Sequence, residues 1–388
     1  MKRNMIKLAA GAAAVLLMAT SAQAGYTMKK KVGDVDTKLT FFGFAQLEAR
    51  GGDGYIGTND DSKVAFGAQR IRLGWKYVAG KVRGKVFLDF NQDHGANPKT
   101  GDGAAMPKMV KDAFISYVAD PAFVVKAGLI KMPNGMGFTM PGWNLDIAER
   151  GFDKALVLER NTGLMFSGRG IGWGGNKVNG FEMGHERPWK GFGYDVMMAN
   201  QASRSVAAKS TKNGGNSYAV RGMFDWTEKL HLEASYALSE NAKGPSGITG
   251  GEDYSNINIG VDSNLGALSL KAEYFNATNI KGTDGFDEQV ITATAAYFVM
   301  PSLELVAKHM QGSAQGNGAD TDLGNTYLGM NIFMSMPYQD FSRKAKRMRN
   351  QHKVVLNYIV ASGDTDGVWN GLKGYKDDAF IAQYQFKF

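Results

Sequence analysis

Val64 to Phe90 reads VAFGAQRIRLGWKYVAGKVRGKVFLDF, two strand-like runs broken at Ala79-Gly80. In the first run Ile71, Leu73, Trp75 and Tyr77 share one parity, and Arg70, Arg72 and Lys76 share the other. In the second, Val82, Gly84, Val86, Leu88 and Phe90 alternate with Lys81, Arg83, Lys85 and Asp89. Successive side chains of a strand point to opposite faces, so each run has one oily and one charged face. A soluble sandwich would turn the oily face inward, whereas a transmembrane barrel turns it to lipid and the charges to a lumen. The rest of the chain decides between them.

Residues 1–24 have the pattern of a secretory leader. Lys2, Arg3 and Lys7 precede an apolar run from Leu8 to Ala19, too short to span a bilayer, and Ala22-Gln23-Ala24 offers a small-residue cleavage site. The expected mature chain is 25–388. Without those three cations the formal charge falls from +8 to about +5, too small a surplus to point to nucleic acid. There is no cysteine, which excludes a disulfide scaffold, thiol catalysis and thiolate metal sites. His94, His185, His231, His309 and His352 have no ligand-like spacing, and no nucleophile elbow, phosphate-cradling loop or zincin motif occurs. Neither a cofactor nor an enzymatic activity is expected.

With 50 glycines, 22 phenylalanines and 15 tyrosines, the chain favours strands and turns. The alternating beat recurs in about sixteen runs, an even number suited to a closed antiparallel barrel. After a basic lead from Met28 to Lys38, runs are expected at Asp36–Arg50, the two of Val64–Phe90, Lys111–Ala119, Phe123–Met132 and Thr162–Ile171. Further runs carry Tyr194, Tyr218, Leu232, Ile259, Leu270, Ile291, Leu305, Met330 and Leu356, ending in AFIAQYQFKF at Phe388. Short turns alternate with long Gly-rich loops, such as 91–109, 201–216 and 314–323, while 172–190 and 335–351 are long on the short-turn side. That asymmetry fits short periplasmic turns and long external loops. The expected fold is an all-β transmembrane antiparallel barrel.

Two groups of residues carry the functional reading. Arg70, Arg72, Lys76, Lys81, Arg83 and Lys85 would line the lumen from adjacent strands, concentrating anions and repelling cations. Glu48, Glu233 and Glu273 are the carboxylates that could balance them across the lumen. The second group is PNGMGFTMPGWNLDIAERGFDKALVLER, Pro133 to Arg160, which breaks the strand beat. Folded into the lumen it would bring Asp146, Glu149, Arg150, Asp153, Lys154, Glu159 and Arg160 towards the axis, with short helical turns expected at Asp146–Arg150 and Asp153–Leu158. The basic run SRKAKRMRNQHK, Ser342 to Lys353, lies on the short-turn side, placed to meet periplasmic partners, lipid head groups or solvent.

The order AQRIRLGWKY, a lysine-rich partner strand ending in LDF, KDAFISYV, VVKAGLIKMPNGMGF, a loop ending in LERN, then NTGLMFSG resembles the phosphate-selective porins of the O/P type. The resemblance covers roughly Lys38 to Gly168, with Gln69-Arg70 where that family more often has paired arginines. It implies a sixteen-stranded homotrimeric outer-membrane channel of a Gram-negative cell, its third external loop folded inward and its lumen guiding small anions such as phosphate. The C-terminal strand ending in Phe388 resembles those recognised by the barrel-assembly machinery. The function expected is passive diffusion of small hydrophilic solutes with an anion preference. Alternatives are a non-selective general porin and a structural or adhesive barrel.

Overall fold

The computed structural model describes residues 25–52, 64–91, 109–172, 190–200, 215–227, 229–242, 251–316, 319–334, 340–341, 349–363 and 374–388. The leader and the run 342–348 lie outside these residues. A hairpin of β1 (Tyr26–Val32) and β2 (Val35–Gly52) starts the fold. The two opening runs become β3 (Ala65–Ala79) and β4 (Val82–Asp89). β5 (Val110–Asp120), β6 (Phe123–Lys131), β7 (Arg160–Ile171) and β8 (Gly191–Asn200) complete the first half. The second half comprises β9 (Asn216–Thr227), β10 (Leu230–Ser239), β11 (Tyr254–Leu265), β12 (Leu268–Thr278) and β13 (Asp287–Met300). It ends with β14 (Leu303–Gly316), β15 (Ala319–Phe333), β16 (His352–Gly363) and β17 (Ala379–Lys387).

From β2 onward every strand pairs antiparallel with the next. β17 returns to β2, Lys387 opposite Phe44 and Ala379 opposite Gly52, closing a ring of sixteen. Closure leaves no unpaired edge within the wall, which is what allows a sheet to sit in lipid. β1 stands outside the ring. It pairs β2 below the point where β17 ends, with Tyr26 opposite Phe41, while the Phe388 main chain exchanges both hydrogen bonds with Gly43. The basic lead, not counted among the expected runs, is therefore largely strand, because β2 overhangs β17 and offers a free edge.

Parity sorts the wall as expected. Ile71, Leu73, Trp75 and Tyr77 stand outward, 36–42% exposed, with Leu232, Tyr236, Ile259, Ile291, Leu305 and Tyr358 on the same outer surface. No helix among the described residues is long and apolar enough to cross a membrane, and the strands supply that surface instead. The expected loop at 314–323 is replaced by strand. β14 runs to Gly316 and β15 starts at Ala319, because the pairs Asp287–Gln315, Gln315–Asp320 and Gly316–Ala319 continue the ladder upward.

Residues 132–159, between β6 and β7, turn into the barrel as loop L3. They hold α1 (Met136–Thr139) and 3-10 turns at Gly142–Asn144 and Phe152–Leu156. The helical turn expected at Asp146–Arg150 is absent. That stretch is irregular because its main-chain groups bond the wall: Ala148 N–H donates to Asn357 Oδ1 at 2.9 Å, and Asn331 Nδ2 donates to Asp146 O at 2.9 Å. Phe138, Ile147, Phe152 and Leu156 of L3 pack on Phe275, Val290, Met310 and Tyr327 of the wall. The apolar core of this barrel thus lies inside it, between L3 and β11–β16, and L3 fills that side of the lumen.

Candidate functional site

L3 reaches three sectors of wall. Asn134 donates to Asn256 Oδ1, and Gly137 N–H donates to Glu273 Oε2 at 2.9 Å, fixing the start of L3 to β11 and β12. Its middle crosses to the seam: Gln46 Nε2 donates to Gly142 O at 3.2 Å and to Gln385 Oε1 at 2.6 Å, and Gln385 Nε2 donates to Trp143 O at 3.0 Å. Trp143 packs edge-on against Phe44 at 5.1 Å, with the Lys387 ammonium over its ring. The wall from β3 to β7 faces the remaining edge of L3, where the cations collect.

Register places those cations. Arg72 lies opposite Asp89 on the next strand, and Lys76 lies opposite Lys85, a like-charge pair that costs stability across a ladder. Arg72 Nε donates to Asp89 Oδ2 at 2.9 Å, with Lys111 at 3.8 Å from the same oxygen. Asp112 takes Lys85 Nζ at 2.5 Å and Arg160 Nε at 2.9 Å. Each carboxylate is thus shared by two cations, so the wall keeps a positive surplus. From the loop side, Arg150 Nε donates to Gly137 O at 3.1 Å and Nη2 to Phe138 O at 3.2 Å and to Met140 O. Lys131 Nζ also donates to Phe138 O.

Arg72, Arg150 and Arg160 each lie in the fields of the other two. Burial, and after it Arg72 and Arg160, presses the Arg150 guanidinium down to about 9. A guanidinium keeps its proton, so Arg150 stays a cation held among cations. Both terminal nitrogens of Arg72 and Arg160, and Nη1 of Arg150, have no acceptor among the described residues. Three planar forks with unspent donors are suited to bind an oxyanion.

The expected residues divide accordingly. Arg72, Lys76, Arg83 and Lys85 are on the inner face, Lys76 over the Phe42 ring and Lys85 over Phe87. Arg70 is inward but only 6% exposed, its Nη1 spent on Gln46 Oε1 at 2.6 Å. Lys81 sits in the turn before β4, exposed, its ammonium bonded to Ala119 O near the end of β5, because β4 begins one residue later. In L3, Asp146 pairs with Lys271 of β12, Lys154 pairs with Glu159 at 3.1 Å, and Asp153 is buried beside Glu273. Glu149 is buried on the wall. Of the balancing carboxylates, Glu48 pairs with Arg50, Glu273 holds L3, and Glu233 receives His231 Nε2 at 3.0 Å. Lys131 and Lys111 were missed. Lys131 closes β6 where the alternation blurs at Leu129-Ile130-Lys131, all buried.

A closed barrel with an apolar exterior, a charged inner wall and a loop narrowing its lumen defines a membrane channel. The chain belongs to the Gram-negative porin family, whose profile matches residues 9–331, and its place is the outer membrane. Among solved structures it is similar to Salmonella typhi OmpF, with 13% identity, a TM-score of 0.60, and coverage of 93% of this chain and 100% of that one. It is also similar to the anion-selective porin from Comamonas acidovorans (14%, TM-score 0.55, 91% and 100% coverage) and to the outer-membrane channel DcaP of Acinetobacter baumannii (12%, TM-score 0.56, 94% and 100%). At these identities the likeness is one of fold. No curated protein sequence matches.

Proposed function

We propose that the chain forms a passive, anion-preferring channel for small hydrophilic solutes, phosphate among the candidate anions. The observation that carries this reading is the trio Arg72, Arg150 and Arg160, which lie in one another's fields where L3 meets β3–β7 and keep unspent donors. Solutes are sieved at the gap, and the basic wall raises the local anion concentration by focusing, with no covalent step. Lys76 opposite Lys85, with Arg83 on the same face, continues the positive track from the gap towards the turn end. The working unit on this reading is a homotrimer in outer-membrane lipid, exported through the 1–24 leader and assembled by recognition of Phe388. Reversal potentials of the purified protein in a KCl gradient are expected on the chloride side, and phosphate is expected to reduce the chloride current. A second reading, a non-selective general porin, draws on the paired Arg72–Asp89 and Lys85–Asp112 and predicts a reversal potential near zero. A potential on the cation side would overturn the anion assignment.

A further inference from the structure

The sequence places Glu149 among the charges of the constriction, but its carboxylate points away from the gap and into the wall. It is 1% exposed and collects donors from four separate elements. Arg50 Nη2 of β2 reaches Oε2 at 3.0 Å and Gln69 Nε2 of β3 reaches it at 3.4 Å. The hydroxyls of Tyr327 on β15 and of Tyr375 in the loop before β17 donate to Oε1 at 3.1 and 2.8 Å. The preceding residue is held just as firmly: Ala148 N–H donates to Asn357 of β16, and Gln383 Nε2 of β17 donates to Ala148 O at 3.1 Å. These partners flank the seam where the last strand meets the first. Arg150 follows immediately, and its side chain runs back along L3 to the carbonyls of Gly137, Phe138 and Met140. Its backbone end is set by the docked pair at 148–149 and its head by the loop.

We propose that Glu149 is the positioning residue of the constriction: by docking L3 on the seam it fixes where Arg150 stands and so sets the width of the gap. The buried carboxylate is a steep lock, because truncating it removes one acceptor shared by two tyrosine hydroxyls, Gln69 and Arg50, although Arg50 keeps its pair with Glu48. The inference rests on the constriction reading and not on the sign of the permeating ion. Conductance and solute-size cut-off respond to undocking whichever ion is preferred, so failure of the anion assignment leaves the test intact.

The test compares Glu149→Ala, Glu149→Gln and Asn134→Ala in planar bilayers and in liposome swelling, with heat-dependent gel migration reporting barrel integrity. Glu149→Ala is expected to raise single-channel conductance about twofold and admit larger sugars while the barrel stays folded, since a pore conducts by its narrowest cross-section. Glu149→Gln keeps an oxygen for the two tyrosines and is expected to return most of the wild-type cut-off. Asn134→Ala frees L3 from Asn256 of β11 and from the Leu158 N–H at the other end of the loop, both away from the seam, and should leave the cut-off near wild type. If Glu149→Ala gives no folded barrel, the double variant Tyr327→Phe, Tyr375→Phe, which removes only the two hydroxyls, is expected to widen the gap in the same direction. Wild-type conductance and cut-off in a folded Glu149→Ala or in the tyrosine pair would overturn the proposal. So would an equal effect from Asn134→Ala, which would assign the change to general slackening of L3.

Discussion

At the scale of single residues, parity separates facing from function. The alternation in Val64–Phe90 turns Arg70 and Arg72 inward, yet Arg70 is nearly covered, at 6% exposed and with Nη1 on Gln46 Oε1, while Arg72 stays partly open with both terminal nitrogens unspent. Neutralising Arg72, Arg150 and Arg160 singly should each lower the chloride preference about fivefold, since a unit charge about 4 Å from an ion in water is worth about 1 kcal/mol. Reversal potentials measured for the three variants check this, and unchanged values would move the filter elsewhere. Arg70→Ala should behave differently, leaving selectivity near wild type while losing about 1–3 kcal/mol of stability, as the buried Gln46 Oε1 loses its donor. The heat-dependent gel shift would register that loss. Glu149 and Arg150 are both visible in the sequence as charges, but the signs of their roles are not, because nothing local says which of two adjacent side chains meets the wall.

At the scale of elements, strands were legible wherever one face is apolar, and irregular segments were not. Met28 to Lys38 was read as a basic lead for its lysines; its first half is strand because β2 extends past β17 and offers an edge. The middle of L3 was read as helical from its charges, but its backbone is spent on Asn331, Asn357 and Gln383, partners more than a hundred residues away. Glycines mark the close approaches. A Cβ on Gly163 of β7 would lie 2.2 Å from Met198 O and 2.6 Å from Ala199 Cα, whereas one on Gly222 of β9 would meet nothing within 4 Å. Gly163→Ala should therefore destabilise the barrel by about 1–3 kcal/mol, the usual cost of overpacking, while Gly222→Ala should be close to neutral. Urea midpoints of the two variants test the contrast, and equal midpoints would contradict it.

At the scale of the whole molecule, closure turns local pairing into a channel, and the number of runs, the leader-like start and the aromatic end made that closure readable in advance. What stayed hidden was the interior, since an inward loop that packs an apolar core inside a barrel has no counterpart in strand rhythm. The seam carries one more consequence. On the same edge of β2, Lys387 stands opposite Phe44, Phe388 opposite Gly43 and Tyr26 opposite Phe41, with β17 and β1 both antiparallel to β2. The two ends of the described chain therefore follow one another head to tail, with Gly25 as the single residue bridging the step. Over the described residues the strand path is a circle cut at one point. A circularly permuted gene that runs Phe388 directly into Gly25 and opens within 364–373 should yield the same barrel, because chain ends that meet in the fold tolerate joining. Its conductance should match the parent channel, and a permutant that folds but conducts differently would show that the cut, and not only the pairing around it, shapes the pore.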